Sequence, residues 1–309
     1  MKWIKKGLIY KPRGEDWMKS HAQCPTAIVL GDKIRIFFSV RDYLGESLPT
    51  YIDVSKMDPS KIVYEHNKPI LLKGRLGTFD ENGIIPSYIV EEGDDIYLYY
   101  AGWSRCVNVP YKNFTGVAIS KDGGNTFIKY SEAPVLSLEN NSPLSATGPC
   151  IVKRDNIYHC IYSTGIEWID INSKLEHTYL LISATSKDGF SWETNNKVVI
   201  QPENEFIAHC KPAVYYDGQT YHMWFSKRGS HNFRNPSLES YRLGYATSRD
   251  FFNWDRRDSE CGIDVSEEGW DSEMICYPHI IKNDDTVIMF YNGNGFGKSG
   301  FGYTELIKS

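Results

Sequence analysis

Nowhere in the 309 residues is there an apolar run long enough to cross a bilayer, and the opening stretch MKWIKKGLIYKPRGEDW holds no apolar segment of signal-peptide length. Blocks of lysine and arginine are missing too. With a formal charge of −5 and both signs interspersed, the chain shows no footprint for nucleic acid or an anionic membrane. The seven cysteines, Cys24, Cys106, Cys150, Cys160, Cys210, Cys261 and Cys276, are odd in number and lack CxxC spacing. That reads as reduced thiols of a cytoplasmic protein, with disulfides of an exported enzyme as the weaker reading. Helical spacing of apolar residues is also absent. What remains is a composition 41% apolar and 14% aromatic, ample for a large all-β core.

A repeat runs through the whole chain. HAQCPTAIVLGDKIRIFFSVRD from His21, ENGIIPSYIVEEGDDIYLYYAGWS from Glu81, SATGPCIVKRDNIYHCIYSTG from Ser145, IAHCKPAVYYDGQTYHMWFSKRG from Ile207 and SEMICYPHIIKNDDTVIMFYNGNG from Ser272 share one pattern. Each begins with small or polar residues, reaches a proline (Pro25, Pro86, Pro149, Pro212, Pro278), and joins two apolar runs through a tight turn. The turns are expected at Gly31-Asp32, Asp94-Asp95, Asp155-Asn156, Asp217-Gly218 and Asp284-Asp285, which makes each segment a β-hairpin. Third strands follow in TGVAISKDGGNTF, YLLISATSKDGFSW and YRLGYATSRDFFNW. Four-stranded units about 60 residues apart are the spacing of propeller blades.

The expected architecture is therefore all-β: a single domain over residues 1–309, a five-bladed β-propeller closed by the N-terminal strand. Its blades fall at about 11–74, 80–138, 144–202, 206–266, and 271–309 joined by 1–10. The last unit lacks a fourth strand, and WIKKGLIYKP at the other end supplies one, covering an open edge.

In such a ring the start of each first strand and the end of each second strand meet at one face. That places His21, Gln23, Arg41 and Asp42 from blade one beside Asp80, Glu81, Trp103 and Arg105 from blade two. Blade three offers Thr147, Glu167 and Trp168, blade four His209, Lys211 and Arg228, and blade five Asp271, Glu273, Tyr277 and Asn292. Carboxylates, arginines and tryptophans gathered at one mouth suit a sugar: acids protonate the leaving oxygen while aromatic faces hold the ring. Glu81 and Glu273 each stand five residues before their proline and are the leading acid/base candidates, with Asp42 and Glu167 in reserve.

The five-unit pattern, the proline of each first strand and the YATSRDFFNW turn resemble the five-bladed propeller glycosidases, the superfamily of arabinanases, β-xylosidases, fructan hydrolases and mannoside phosphorylases. YHMWFSKRG and the C-terminal GWDSEMICYPHIIKNDDTVIMFYNGNGFGKSGFGY look like proteins encoded among polysaccharide-biosynthesis genes. The resemblance implies a small-molecule sugar or oligosaccharide substrate, and it leaves room for a hard cation such as calcium in the channel. No other cofactor and no macromolecular partner is expected. One departure stands out: an acid usually precedes the first-blade proline, and here the sequence reads HAQCP.

Three other patterns have plainer readings. SKDGGNTF fits the Asp-box, whose Ser and Asp side chains tie a turn. His21/Cys24, His209/Cys210 and Cys276/His279 contain zinc-ligand types, but neighbours on a strand point to opposite faces. GNGFGKSGFG has no helix start to bind a phosphate and reads as a loop over the site. Three functions follow in order: cleavage of a glycosidic bond; transfer to or from phosphate or a nucleotide sugar, with Arg41, Lys211 and Arg228 holding the phosphoryl group; and glycan binding without chemistry.

Overall fold

The computed structural model describes residues 1–140, 142–237 and 239–307, so residues 308 and 309 of the expected fifth unit lie outside it. The chain is all-β. A 12-stranded sheet holds three antiparallel units linked by single parallel bridges, Ser47 to Gly83 and Phe114 to Ala146. The first unit comprises β2 (Ser20–Leu30), β3 (Lys33–Arg41), β4 (Ser47–Ser55) and β5 (Ile62–Glu65), and the next β6 (Gly83–Glu92), β7 (Asp95–Arg105), β8 (Tyr111–Ser120) and β9 (Ile128–Lys129). The third is β10 (Ser145–Arg154), β11 (Ile157–Ile171), β12 (Lys174–Ser186) and β13 (Glu193–Ile200), and the fourth β14 (Ala208–Tyr216), β15 (Tyr221–Arg228), β16 (Arg242–Ser248) and β17 (Asp255–Arg256). In the last, β18 (Cys276–Asn283), β19 (Thr286–Asn292) and β20 (Phe301–Ile307) are joined by the first strand of the chain, β1 (Lys2–Tyr10). β1 runs antiparallel to β20, from Lys2 opposite Ile307 to Tyr10 opposite Phe301.

Tight turns set these registers. At Asp155-Asn156 both residues are left-handed (φ 50° and 59°), the geometry that matches strand twist in a two-residue hairpin. In the second unit the turn falls at Gly93-Asp94, one residue before the expected place, because Asp95 already pairs with Glu92. Among the described residues the Asp-box turn occurs three times. Ser120 Oγ donates to Asp122 (2.7 Å), Ser186 Oγ to Asp188 (2.9 Å) and Ser248 Oγ to Asp250 (3.1 Å), and backbone N–H groups of each turn donate to the same aspartate.

The second strand of each unit is buried on both faces, and its alternate side chains pack against different neighbours. Ile34, Ile36 and Phe38 join a core with Ile9, Tyr10, Phe290 and Phe301, whereas Phe37 joins Ile84, Leu98 and Tyr100 of the next unit. Tyr99 then packs with Tyr158 and Cys160, Ile161 with Met223 and Phe225, and Trp224 with Trp3, Met289 and Tyr291. This explains the nearly unbroken apolar runs such as IRIFFSV, since a strand sandwiched between two neighbours needs no polar face.

A shared irregularity points residues inward. First strands break register beside the repeated proline, between Gln23 and Thr26, Thr147 and Cys150, Cys210 and Ala213, and Cys276 and His279. The residue before the proline is left-handed in each: Cys24 (φ 54°), Gly148 (63°), Lys211 (49°) and Tyr277 (56°). Such backbone is costly for residues other than glycine and is retained where the surroundings enforce it. Here neighbouring units do so. The N–H of Cys24 donates to Asn292 Oδ1 (2.7 Å), that of Lys211 to Ser163 Oγ (3.1 Å) and that of Tyr277 to Ser226 Oγ (2.8 Å).

Candidate functional site

The five pre-proline residues Cys24, Ile85, Gly148, Lys211 and Tyr277 all line one cavity of about 450 Å³, to which every unit contributes. β3 brings Arg41 to it, β7 brings Trp103, β11 Trp168, β12 Glu176 and Tyr179, and β15 Arg228. Gln23 holds Arg41 by accepting from its Nε (2.9 Å). Arg228 is fixed by donation to the carbonyls of Gly229 (2.9 Å) and His177 (2.5 Å), with its guanidinium 3.8 Å from the centre of the Phe233 ring. Lys211 is buried, and its Nζ has no hydrogen-bond partner. Burial disfavours its charged form and lowers its pKa from the usual lysine value.

Arg41, Lys211 and Arg228 have no carboxylate partner among the described residues. The single carboxylate that described residues bring to the cavity lining, Glu176, is ion-paired with Arg234, which lines it too. An aromatic wall stands beside Arg228, whose guanidinium is 5.4 Å from the centre of the Tyr179 ring. Trp168 stacks on His177 (ring centres 4.2 Å apart), and Tyr111 and Tyr179 share a hydrogen bond of 2.8 Å. Burial, and then the nearby Arg228, lower the His177 pKa to about 3, so this ring is neutral. The site is thus a cationic pocket with an aromatic side, suited to an anion carried on a body with apolar faces.

The structure gathers Gln23, Arg41, Trp103, Thr147, Trp168, Lys211, Arg228 and Tyr277 of the expected substrate residues around this cavity. Others are placed elsewhere. Asp80 accepts from Tyr100 (3.1 Å) and Lys129 (2.6 Å), and Asp271 from Tyr291 (2.9 Å) and Lys5 (2.7 Å); both carboxylates are buried and tie the fourth strand to its unit. Asn292 secures the backbone of Cys24, Ala22 and Gly300. Arg105 pairs with Glu46 (2.9 Å), and His209 faces Glu203 (3.4 Å). His21 is left-handed (φ 60°) and contacts Ser20 Oγ (2.8 Å).

None of the four carboxylates expected to act as acid or base lines the cavity. Glu81 accepts from the Gly77 N–H (2.7 Å), and Asp42 from the N–H groups of Leu44 and Glu46 (both 2.9 Å), so each caps a loop. Glu167 is exposed on β11, and at Glu273 it is the backbone N–H that is held, by Asn294 (2.8 Å). Glu81 and Glu273 share an offset but not a role, whereas the nearby Asp80 and Asp271 do the same work in two units. Among the described residues no three His, Cys, Asp or Glu side chains gather as a metal-ligand set.

Glu176, Arg234, Cys24, Tyr111, Tyr179, Phe233 and Tyr241 line the cavity without having been picked out from the sequence. One signal was available: the residue immediately before each repeated proline. Glu176 had another, the length of the segment between the second and third strands of its unit.

Comparison with solved structures places this fold among glycoside hydrolases. Over 99% of the chain and 90% of the other, it resembles a glycosyl hydrolase from Bacteroides ovatus (TM-score 0.71, 14% identity). A thermostable family-43 glycoside hydrolase matches over 96% and 91%, with TM-score 0.67 and 13% identity. The chain belongs to the same family as the uncharacterized protein MT1551 of Mycobacterium tuberculosis, 37% identical over 309 residues and 99% of both chains. A more remote likeness, 27% identity over 143 residues, covers 45% of this chain and 46% of the 1,2-beta-oligomannan phosphorylase of a Thermoanaerobacter species. No family model matches.

Proposed function

We propose that the protein is a carbohydrate-active enzyme, a single five-bladed propeller whose ring is closed by the N-terminal strand, with the cavity between the blades as its substrate site. Of the chemistries open to such a site, transfer of a glycosyl group to or from phosphate is favoured. One observation carries this reading: Arg41, Lys211 and Arg228 converge, largely buried, with no carboxylate among the described residues to balance them. Buried charges without partners are costly, and an entering phosphoryl group supplies the partner. Hydrolysis of a glycosidic bond uses two carboxylates flanking it. The described cavity lining holds only Glu176, whereas phosphate brings its own nucleophilic oxygen in one direction and leaves in the other.

The fold neighbours support sugar as the substrate, and the partial likeness to an oligomannan phosphorylase supports phosphate as its partner. Free thiols at all seven cysteines fit a cytoplasmic setting, where sugar phosphates and nucleotide sugars are at hand. The test is incubation of the purified protein with aryl glycosides and oligosaccharides, with and without inorganic phosphate, and with sugar 1-phosphates or nucleotide sugars plus an acceptor. Phosphate-dependent turnover upholds the reading. Hydrolysis indifferent to phosphate returns the protein to the hydrolases, and binding without turnover makes it a glycan-binding propeller.

A further inference from the structure

The cavity does not end at Arg234. Past the Glu176–Arg234 ion pair it continues into an open groove of about 560 Å³, and the two share Pro110, Leu175, Glu176 and Arg234 in their linings. One wall of the groove is the segment 106–110 between β7 and β8; the other is the turn of the β11–β12 hairpin. That hairpin is built from strands of 15 and 13 residues, longer than those of the other units, and Asn172 and Ser173 close it in left-handed conformation (φ 53° and 63°). Its extra length is what carries Glu176 to the junction. Apart from Lys174 and the Glu176–Arg234 pair, the groove lining is uncharged, in contrast to the cationic cavity.

Resting on the phosphate-linked reading above, we propose that this groove is the acceptor half of the site, taking a neutral saccharide, and that Glu176 exchanges a proton with the saccharide hydroxyl. Glu176 is the carboxylate common to both linings, so it stands where a bond between a sugar in the cavity and a sugar in the groove is made or broken. In the synthetic direction the acceptor oxygen bonds to the anomeric carbon of a sugar 1-phosphate as the carbon–oxygen bond to phosphate breaks. Phosphate departs with the electron pair toward Arg41, Lys211 and Arg228, and the hydroxyl proton passes to the Glu176 carboxylate. In the reverse direction phosphate attacks, the glycosidic bond breaks, and Glu176 returns the proton to the leaving oxygen.

The test measures binding of inorganic phosphate and of a panel of neutral di- and trisaccharides to the wild type and to Asn108→Trp and Val109→Trp, which fill the groove away from the cations. At least one saccharide should bind the wild type and bind both variants 10-fold or more weakly, on the order expected for blocking a built contact. Phosphate affinity should stay within about 3-fold, which also shows that the variants are folded. Glu176→Gln should keep both affinities, lower turnover of a bound saccharide with a sugar 1-phosphate by about 100-fold, and flatten its pH profile. Failure of the wild type to bind phosphate sinks the phosphate-linked reading. Phosphate binding combined with saccharide affinities untouched by groove filling, or with no saccharide bound at all, overturns the groove assignment alone. Wild-type turnover in Glu176→Gln, or none in the wild type with ligands it binds, overturns the role of Glu176.

Discussion

Lys5, on the first strand of the chain, is ion-paired at 2.7 Å with Asp271, 266 residues further on. The same Asp–Tyr–Lys arrangement recurs in the second unit, where Lys129 on the fourth strand meets Asp80, and the tyrosine stands 20 residues after the aspartate in both. The N-terminal strand therefore occupies the place of a fourth strand in structural detail. Lys5→Ala leaves Asp271 buried with Tyr291 as its remaining partner. It should cost about 1–3 kcal/mol in denaturant unfolding, and adding Asp271→Asn should recover part of the loss. An unchanged midpoint in Lys5→Ala shows that the pair contributes nothing.

Lys211 has the opposite character, a charge placed at the expense of stability. Lys211→Met removes an unpartnered buried ammonium and should raise the melting temperature of the free protein. Phosphate should then lose most of its power to stabilise, which in wild type follows the ratio of ligand concentration to Kd. A variant that melts lower, or keeps the phosphate effect, contradicts the assignment.

The pH dependence of the same group has a defined sign. Its folded-state pKa is lowered, so above that value the unfolded chain binds the extra proton. This contribution to stability rises with pH through the lowered value and levels off near the unfolded lysine value of about 10.4. Phosphate binding runs the other way and weakens as Lys211 loses its proton. Calorimetric titration in parallel with melting, from neutral pH upward, should show the two trends diverge in wild type and flatten in Lys211→Met.

Glu81→Gln and Glu273→Gln should leave turnover within about 3-fold of wild type, since neither side chain lines the cavity and surface substitutions of this kind are mild. Kinetics on the substrate found by the assays above checks this. A loss of two orders of magnitude in either variant restores those residues to the chemistry.

The repeated Ser–x–Asp turns predict sensitivity to acid. Burial raises the Asp122 pKa, but hydrogen bonds from Thr126, Ser120 and Asn125 together outweigh it and lower the value to about 2; at Asp188 hydrogen bonds from Ser191, Phe190 and Ser186 do the same against burial. These depressed values contribute stability that is complete above the unfolded aspartate pKa and is lost as pH falls through about 2. Both groups are exposed, so each share is small. Melting curves of Asp122→Asn should show a shallower decline than wild type between pH 4 and 2; parallel curves rule the turn out as a source.

Much of the fold was legible because its causes are local. Apolar runs bounded by Asp, Asn and Gly make hairpins wherever they stand, and five such runs at even spacing were visible as a repeat. Even the long-range pairing of WIKKGLIYKP with the last strand followed from counting strands, because an unpaired edge is costly. The trio Arg41, Lys211 and Arg228 was found for a related reason: strand starts and strand ends in a repeated unit fall on a common face.

That Glu81, Glu273, Asp42 and Glu167 stand outside the cavity lining was not legible, and the reason is physical. A repeat in sequence records what its units share, and Asp80 with Asp271 shows that the need six or seven residues before the proline is, in two units, a fourth-strand tether. A site is built where units differ. By itself the sequence determined the strands, most of their turns and their order, since each depends on neighbours along the chain. Only the tertiary structure decided that a left-handed bulge before four of the five prolines turns Cys24, Lys211 and Tyr277 into one cavity, and that a long hairpin brings Glu176 to its edge. The bulges depend on hydrogen bonds accepted by Asn292, Ser163 and Ser226, in units tens to hundreds of residues away.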